Sequence, residues 1–292
     1  MDFLKFVGAN KIVIFDGAMG TQLNARGAKP GGTSNIAFPE IVADVHRAYI
    51  DAGSNAIITN TFCMNSLYLK SQGSAGDVAA INRAGVVIAR KAAGDSAAVI
   101  GDIGPTGEML KPVGVCAEEQ MYEAFLEQAR ALAEAGVDAF IIETMIDYRE
   151  AACAVRACKE NFKLPVIGSM TYATVIKGGG LTTMGHKAAD CAAALEKAGA
   201  DFLGSNCGDL DPKEVAIVVA SYRSVSALPI LVEPNAGKPR LDENDRAVYD
   251  MPPAEFAEGV RECIAAGASL AGGCCGTSPE HIRAVAEMAA NL

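Results

Sequence analysis

Short, almost purely apolar runs alternate with longer segments whose apolar residues recur every three to four positions, and the alternation repeats eight times along the chain. The runs predict strands at Ile12–Asp16, Ala56–Thr59, Ala98–Asp102, Ala139–Glu143, Val166–Thr171, Phe202–Asn206, Ile230–Glu233 and Ser269–Gly273. Val13-Ile14-Phe15 and Phe140-Ile141-Ile142 carry no polar alternation, as parallel strands covered on both faces require. The longer segments predict helices at Pro39–Ala52, Asp77–Ala93, Glu118–Ala135, Tyr148–Asn161, His186–Ala198, Pro212–Ser224, Pro253–Ala266 and Pro279–Leu292. Pro39, Pro212, Pro253 and Pro279 suit a first helical turn, where a missing N–H costs nothing, with Asp211 and Ser278 as caps. Asp51-Ala52-Gly53, Glu134-Ala135-Gly136, Lys197-Ala198-Gly199 and Ala265-Ala266-Gly267 end their helices on a glycine able to take a left-handed exit.

Eight consecutive strand–helix units fit a closed (β/α)8 barrel, a TIM barrel of the α/β class, and residues 1–292 are read as one such domain. The alternative, a doubly wound sheet, wants a phosphate fingerprint after its first strand, and Asp16-Gly17-Ala18-Met19-Gly20 lacks the G-x-G-x-x-G spacing. No Walker loop occurs, and Gly178-Gly179-Gly180 reads as a flexible loop. The long connections Asn24–Phe38 and Thr171–Gly185 follow strands and could cover a site.

The 25 basic and 35 acidic residues give a net charge of −10 with no basic block, so no face is offered to nucleic acid or to an anionic membrane. Apolar runs fall well short of the roughly 20 residues of a spanning helix. Met1 to Phe15 has no secretory pattern, and nine cysteines, an odd number, then read as reduced thiols in the cytoplasm. Cys63, Cys153, Cys158, Cys191 and Cys263 are assigned to packing.

In such a barrel the chemistry stands at the C-terminal ends of the strands. This chain places Asp16, Thr59-Asn60-Thr61, Asp102, Glu143-Thr144, Thr171, Asn206-Cys207, Glu233 with Asn235, and Gly272-Gly273-Cys274-Cys275-Gly276 there. Each alone could be a turn former or cap. Cys207 follows the sixth strand and Cys274 and Cys275 the eighth, on either side of the seventh, so three thiols could converge on one ion. Thiolate-rich sites select zinc, and three protein ligands leave the open position of a catalytic site. The competing reading, three ordinary buried cysteines, does not account for the glycines flanking the pair, which let backbone approach a ligand closely.

Asp16-Gly17-Ala18-Met19-Gly20-Thr21, Thr59-Asn60-Thr61-Phe62, Gly101-Asp102-Ile103-Gly104-Pro105, Glu143-Thr144, Gly204-Ser205-Asn206-Cys207, Pro234-Asn235-Ala236-Gly237 and the run Gly272 to Ile282 together resemble the motif series of the homocysteine S-methyltransferase family. The resemblance covers essentially the whole chain and is nearest to the first module of cobalamin-dependent methionine synthases. It implies a zinc-bearing barrel that methylates homocysteine, with Cys207, Cys274 and Cys275 as ligands and Asn235 offering an oxygen to the fourth position until substrate displaces it. Where the family commonly has a glycine just before the proline after Cys207, this chain has Asp211 ahead of Pro212, which leaves the cap of the next helix intact.

The residues fit that chemistry on their own terms. A free thiol is mostly protonated at neutral pH, and zinc removes the proton. Three thiolates already overbalance a divalent ion, so a fourth, from substrate, stays nucleophilic and needs no general base. Glu143, with Asp102 as a second acceptor, is matched to the ammonium of homocysteine, and the amides around Gly17, Ala18 and Met19, oriented by Asp16, to its carboxylate. The favoured donor is a methyl-corrinoid on a separate protein, with S-methylmethionine or another sulfonium or ammonium as the alternative; a non-catalytic zinc-binding barrel is the second. Asp44-Val45-His46 begins a cobalamin-type D-x-H-x-x-G, but Tyr49 stands where the glycine is needed. A Schiff-base lyase would want a strand-end lysine, and none of the eight supplies one.

Overall fold

The computed structural model describes residues 1–74, 76–243 and 247–292. Eight parallel strands form one sheet: β1 (Val13–Ile14), β2 (Ala56–Ile58), β3 (Ala98–Ile103), β4 (Ala139–Met145), β5 (Val166–Met170), β6 (Phe202–Asn206), β7 (Ile230–Glu233) and β8 (Leu270–Ala271). Each follows its sequence neighbour around the ring, and β1 pairs with β8 through Val13 opposite Leu270. The remaining seam, between β1 and β2, closes differently. Asn55 N–H donates to Ile14 O (2.8 Å), Asn55 Oδ1 accepts from Ile14 N (2.8 Å), and the Asp16 carboxylate accepts from Ile58 N (3.2 and 3.1 Å). Side chains take over ladder bonds there, which is why β1 is shorter than its apolar run suggests.

Eight helices sheathe the ring: α1 (Pro39–Asp51), α2 (Val78–Ala93), α3 (Glu118–Ala135), α4 (Tyr148–Lys159), α5 (Ala188–Ala198), α6 (Pro212–Arg223), α7 (Pro253–Ala265) and α8 (Pro279–Ala289). All eight lie where the 3.6-residue spacing puts them. Asp211 Oδ1 accepts from Glu214 N while Glu214 Oε2 accepts from Asp211 N, both at 3.0 Å, a reciprocal cap at the start of α6.

Two apolar cores explain the unbroken hydrophobic runs. Val13, Phe15, Ile100, Ile141, Ile167 and Leu231 point into the barrel, whereas Ile14, Val99, Phe140, Ile142 and Val232 point out against the helices. The barrel floor is sealed by a helix the strand–helix pattern does not predict, Phe3–Ala9, capped by Asp2 and carrying Phe3, Phe6 and Val7 into the interior. The Phe3 ring lies 5.5 Å from that of Phe202 and 6.3 Å from that of Phe15.

Both long connections carry structure. Asn24–Phe38 includes the end of a helix at Met19–Ala25 and a short helix at Ser34–Ala37. Thr171–Gly185 is a hairpin pairing Thr174–Ile176 with Gly179–Leu181, so the glycine triplet expected to be a flexible loop instead lets the backbone lie on α6: a Cβ on Gly180 would meet Tyr172 and Val218 at 2.8 Å. No helix among the described residues is long and apolar enough to cross a membrane.

Candidate metal centre and substrate cavity

Cys207 stands one residue beyond β6 and Cys274 and Cys275 follow β8, so the strand between them, β7, is the frame on which they meet. Cys207 N–H donates to Glu233 O (3.1 Å), Cys274 N–H to Pro234 O (2.8 Å), and Cys275 O accepts from Ala236 N (3.0 Å). The three sulfurs lie within 4.8 Å of one another, the one such group of possible metal ligands among the described residues. Cys207 Sγ and Cys275 Sγ are 3.8 Å apart. That is far longer than a disulfide of about 2.05 Å, and it matches the edge of a tetrahedron whose metal–sulfur bonds are about 2.3 Å. Reaching this arrangement requires unusual backbone. Cys207 has φ +56°, and Gly208, at φ +77°, sits where a Cβ would come within 2.4 Å of Tyr172 O.

Proton sharing within the trio is uneven. Hydrogen bonds from Cys207 and then Cys274, with a further one from Tyr249, hold Cys275 well below the ordinary thiol range, and Cys274 is pushed well above it by the same contacts. One thiolate is thus stabilised by neighbouring thiols, and a metal that recruits all three sulfurs releases the remaining protons. Asn235 is fixed beside this group by donating from Nδ2 to Gly208 O (2.7 Å), while its Oδ1 is buried without a hydrogen-bond partner. An orphaned amide oxygen is expensive to bury unless something else satisfies it.

The sulfurs form one wall of a cavity of about 390 Å³ at the C-terminal mouth of the barrel. Asp16, Asp102, Glu143 and Glu233 line it, and among the described residues no lysine, arginine or histidine does. Burial raises Asp16, Asp102 and Glu233 well above the usual carboxylate range, with mutual repulsion adding to it at each. Burial lifts Glu143 to about 7. Asp102 Oδ1 and both Glu233 carboxylate oxygens have no hydrogen-bond partner. Buried carboxyls gathered this way suit a cationic ligand. A larger groove of about 750 Å³ lies outside the barrel along α3, α4 and α5 and contains none of these groups.

The sequence-predicted residues are brought together here: Asp16, Gly17, Ala18, Met19, Asp102, Glu143 and the three cysteines all line the one cavity. Their backbone amides are not equivalent. Ala18 N–H is taken by Thr277 Oγ1 (3.0 Å), and Met19 opens the helix Met19–Ala25, whose N-terminus has no side-chain cap. Thr277 Oγ1 in turn donates to Cys274 O (2.8 Å), and Tyr49 Oη donates to Ala18 O (2.9 Å). Thr277 and Tyr49 therefore tie the first-strand turn to the Cys274–Cys275 loop, and neither is legible as functional in sequence. Tyr49, in the place of a cobalamin-motif glycine, is a buried member of the α1 face. Asp102 is held from behind: its N–H donates to Thr59 Oγ1 (3.0 Å), and its O accepts from Thr61 Oγ1 (2.8 Å) and from the buried Gln128 Nε2 (3.2 Å).

Cys63, assigned to packing, is buried but forms part of the cavity wall with φ +53°. With Thr144 (φ +59°) and Cys207 it completes the non-glycine residues in the left-handed region among those described, and all three line the cavity. Backbone strain is concentrated where the binding groups are. Cys153, Cys158, Cys191 and Cys263 are core residues, as expected.

The homocysteine S-methyltransferase family profile matches residues 13–289. The methionine synthase of Mycobacterium tuberculosis (strain ATCC 25618 / H37Rv) is 32% identical over 305 residues, covering 97% of this chain and 25% of the relative. That of Mycobacterium leprae (strain TN) is 32% identical over 299 residues, covering 95% and 24%. The chain thus spans about a quarter of the length of these relatives. Among solved structures, the metallated form of the homocysteine methyltransferase MmuM from Escherichia coli superposes with a TM-score of 0.80 at 23% identity, covering 98% of this chain and 99% of that one, a likeness of fold. With the profile spanning all eight barrel strands and the three sulfurs gathered at the barrel mouth, the chain belongs to the homocysteine S-methyltransferase family.

Proposed function

We propose that this barrel transfers a methyl group to the thiol of homocysteine, giving methionine, with a zinc ion held by Cys207, Cys274 and Cys275. The observation that carries the reading is three sulfurs within 4.8 Å of one another on the wall of a cavity lined, among the described residues, by four carboxylates and no basic side chain. Zinc bound there supplies one thing, a substrate sulfur kept as thiolate at neutral pH. The donor set suits it: soft ligands, tetrahedral spacing, and in Asn235 Oδ1 an oxygen without a partner that serves as the displaceable fourth ligand.

The chain's own residues do the rest. Glu143 and Asp102 accept the ammonium of the substrate, whose positive charge repays the burial of these carboxyls. The turn Asp16-Gly17-Ala18-Met19 seats its carboxylate. Because Ala18 N–H is engaged by Thr277, the amides at Gly17 and Met19 carry that role. Substrate sulfur would then face the three cysteines, its bond to the methyl carbon forming as the donor's carbon–cobalt bond breaks and the bonding pair leaves with the corrinoid. We assign the donor to a methyl-corrinoid carried on a separate protein, and place the reaction in the cytoplasm, in keeping with nine free cysteines.

The test is metal analysis with and without homocysteine, alongside turnover with homocysteine and free methylcobalamin. Wild-type protein should bind near-stoichiometric zinc and form methionine; Cys207→Ala should lose most of the metal and the activity. Turnover with S-methylmethionine but not methylcobalamin would move the donor to a sulfonium. A zinc-loaded preparation inert with every donor would leave a non-catalytic barrel.

A further inference from the structure

Asn206 is the last residue of β6, 1% exposed, directly before the ligand Cys207. It is the best-connected side chain of the site. Its Oδ1 accepts from Thr144 N (2.9 Å) and Ser169 Oγ (2.6 Å). Its Nδ2 donates to Glu143 Oε2 (2.8 Å) and Thr144 Oγ1 (2.7 Å). Two accepted and two donated bonds saturate a carboxamide, and its orientation is fixed by Thr144 N–H, which can only donate and so must face the oxygen. The result is a brace across three adjacent strand ends, β4, β5 and β6. It also holds Thr144 in the left-handed backbone conformation that follows Glu143.

From this geometry we infer that Asn206 is a positioning residue for substrate recognition: it grips one oxygen of Glu143 and so presents the other to the ammonium of homocysteine. The inference rests on the Glu143 assignment made above. A glutamate has three rotatable bonds, and Glu143 shares a side-chain hydrogen bond with the neighbouring Asp102 carboxyl. The amide N–H adds a fixed contact at Oε2, which keeps that oxygen from the ligand. Thr144 N–H selects the amide orientation; Ser169 adds a second bond to Oδ1 and is itself confined, since a Cβ on Gly204 would meet it at 2.7 Å. Asn206 thereby sets selectivity for α-amino thiols and leaves the chemistry of the sulfur alone.

The test is titration calorimetry on zinc-loaded protein with two ligands, homocysteine and 4-mercaptobutanoate, which lacks the amino group. Asn206→Asp keeps the acceptor toward Thr144 and Ser169 but turns a second carboxylate oxygen on Glu143. It should weaken homocysteine by about tenfold or more and leave 4-mercaptobutanoate unchanged. Ser169→Ala should do the same more mildly, without any change of charge. Because Asn206 acts through Glu143, the double variant Asn206→Asp/Glu143→Gln should be no worse than Glu143→Gln alone. Equal weakening of both thiols, additive losses in the double variant, or loss of zinc from both Asn206→Asp and Ser169→Ala would overturn the inference and make Asn206 a structural element of the metal loop. If the wild type fails to distinguish the two thiols, the Glu143 assignment falls and this inference with it. If the wild type discriminates and Asn206→Asp still does, the inference alone is wrong.

Discussion

Thr277 has a burden that its small size hides. It is fully buried, accepts the Ala18 N–H that would otherwise be orphaned, and donates to the carbonyl of Cys274. Thr277→Val preserves shape and removes both bonds. Leaving a buried N–H unpaired should cost about 1–3 kcal/mol of unfolding free energy, read from denaturant titration of apo protein, and should speed zinc loss to a chelator. His46 is the opposite case, a buried ring with neither nitrogen hydrogen-bonded, which burial pushes down to about 4. The unfolded chain takes up this proton first as pH falls, so the associated stability is intact above the ordinary histidine range near 6.5 and is lost as pH drops from there toward 4. His46→Leu should remove this component, about 3 kcal/mol across that window, from the pH dependence of stability relative to wild type.

At the scale of elements, the sequence pattern is most informative where one physical requirement dominates. Strands buried on both faces must be apolar throughout, and helices on a sheath must be apolar on one stripe, so all sixteen barrel elements are legible. The cysteines are legible as a group because glycines flank them, although the structure shows those glycines admitting protein rather than ligand: a Cβ on Gly272 would meet Asp16 O at 2.7 Å, on Gly273 Thr277 at 2.6 Å, and on Gly276 Tyr249 at 2.2 Å. What escapes is what depends on approach in three dimensions. Asn206 reads as one strand-end residue among many until Glu143, Thr144 and Ser169 surround it. The floor helix Phe3–Ala9 is hidden for a different reason: its Phe3, Phe6 and Val7 spacing is helical, but seven residues are too few to stand out beside a neighbouring strand. Its contribution is packing, so Phe3→Ala should cost about 3–5 kcal/mol and leave zinc stoichiometry unchanged, as calorimetry and metal analysis together would show.

Across the whole molecule, stability and function are divided between the two ends of one tube. The lower half is filled by aromatic and aliphatic side chains, and the upper half by carboxyls and thiols that would rather be in water. The cost of that upper half is carried by the two apolar cores, an arrangement that ligands can relieve. Binding zinc to the folded form alone adds stability in proportion to the logarithm of its free concentration. Zinc at about a hundred times its dissociation constant should add about 2.7 kcal/mol, and Cys207→Ala should abolish the gain.

At one joint of the hoop, between β1 and β2, the backbone bond from Asn55 to Ile14 is joined by side-chain bonds, and there Asp16 reaches across to Ile58. In the proposed site Asp16 would face the substrate and also clasp the cylinder, so that occupation of the mouth would bear directly on the wall. Deuterium should enter the Ile58 amide faster than those of Ile100 or Ile141 in the empty protein, and homocysteine should slow it. A ligand that rests on such a clasp tightens the vessel that contains it.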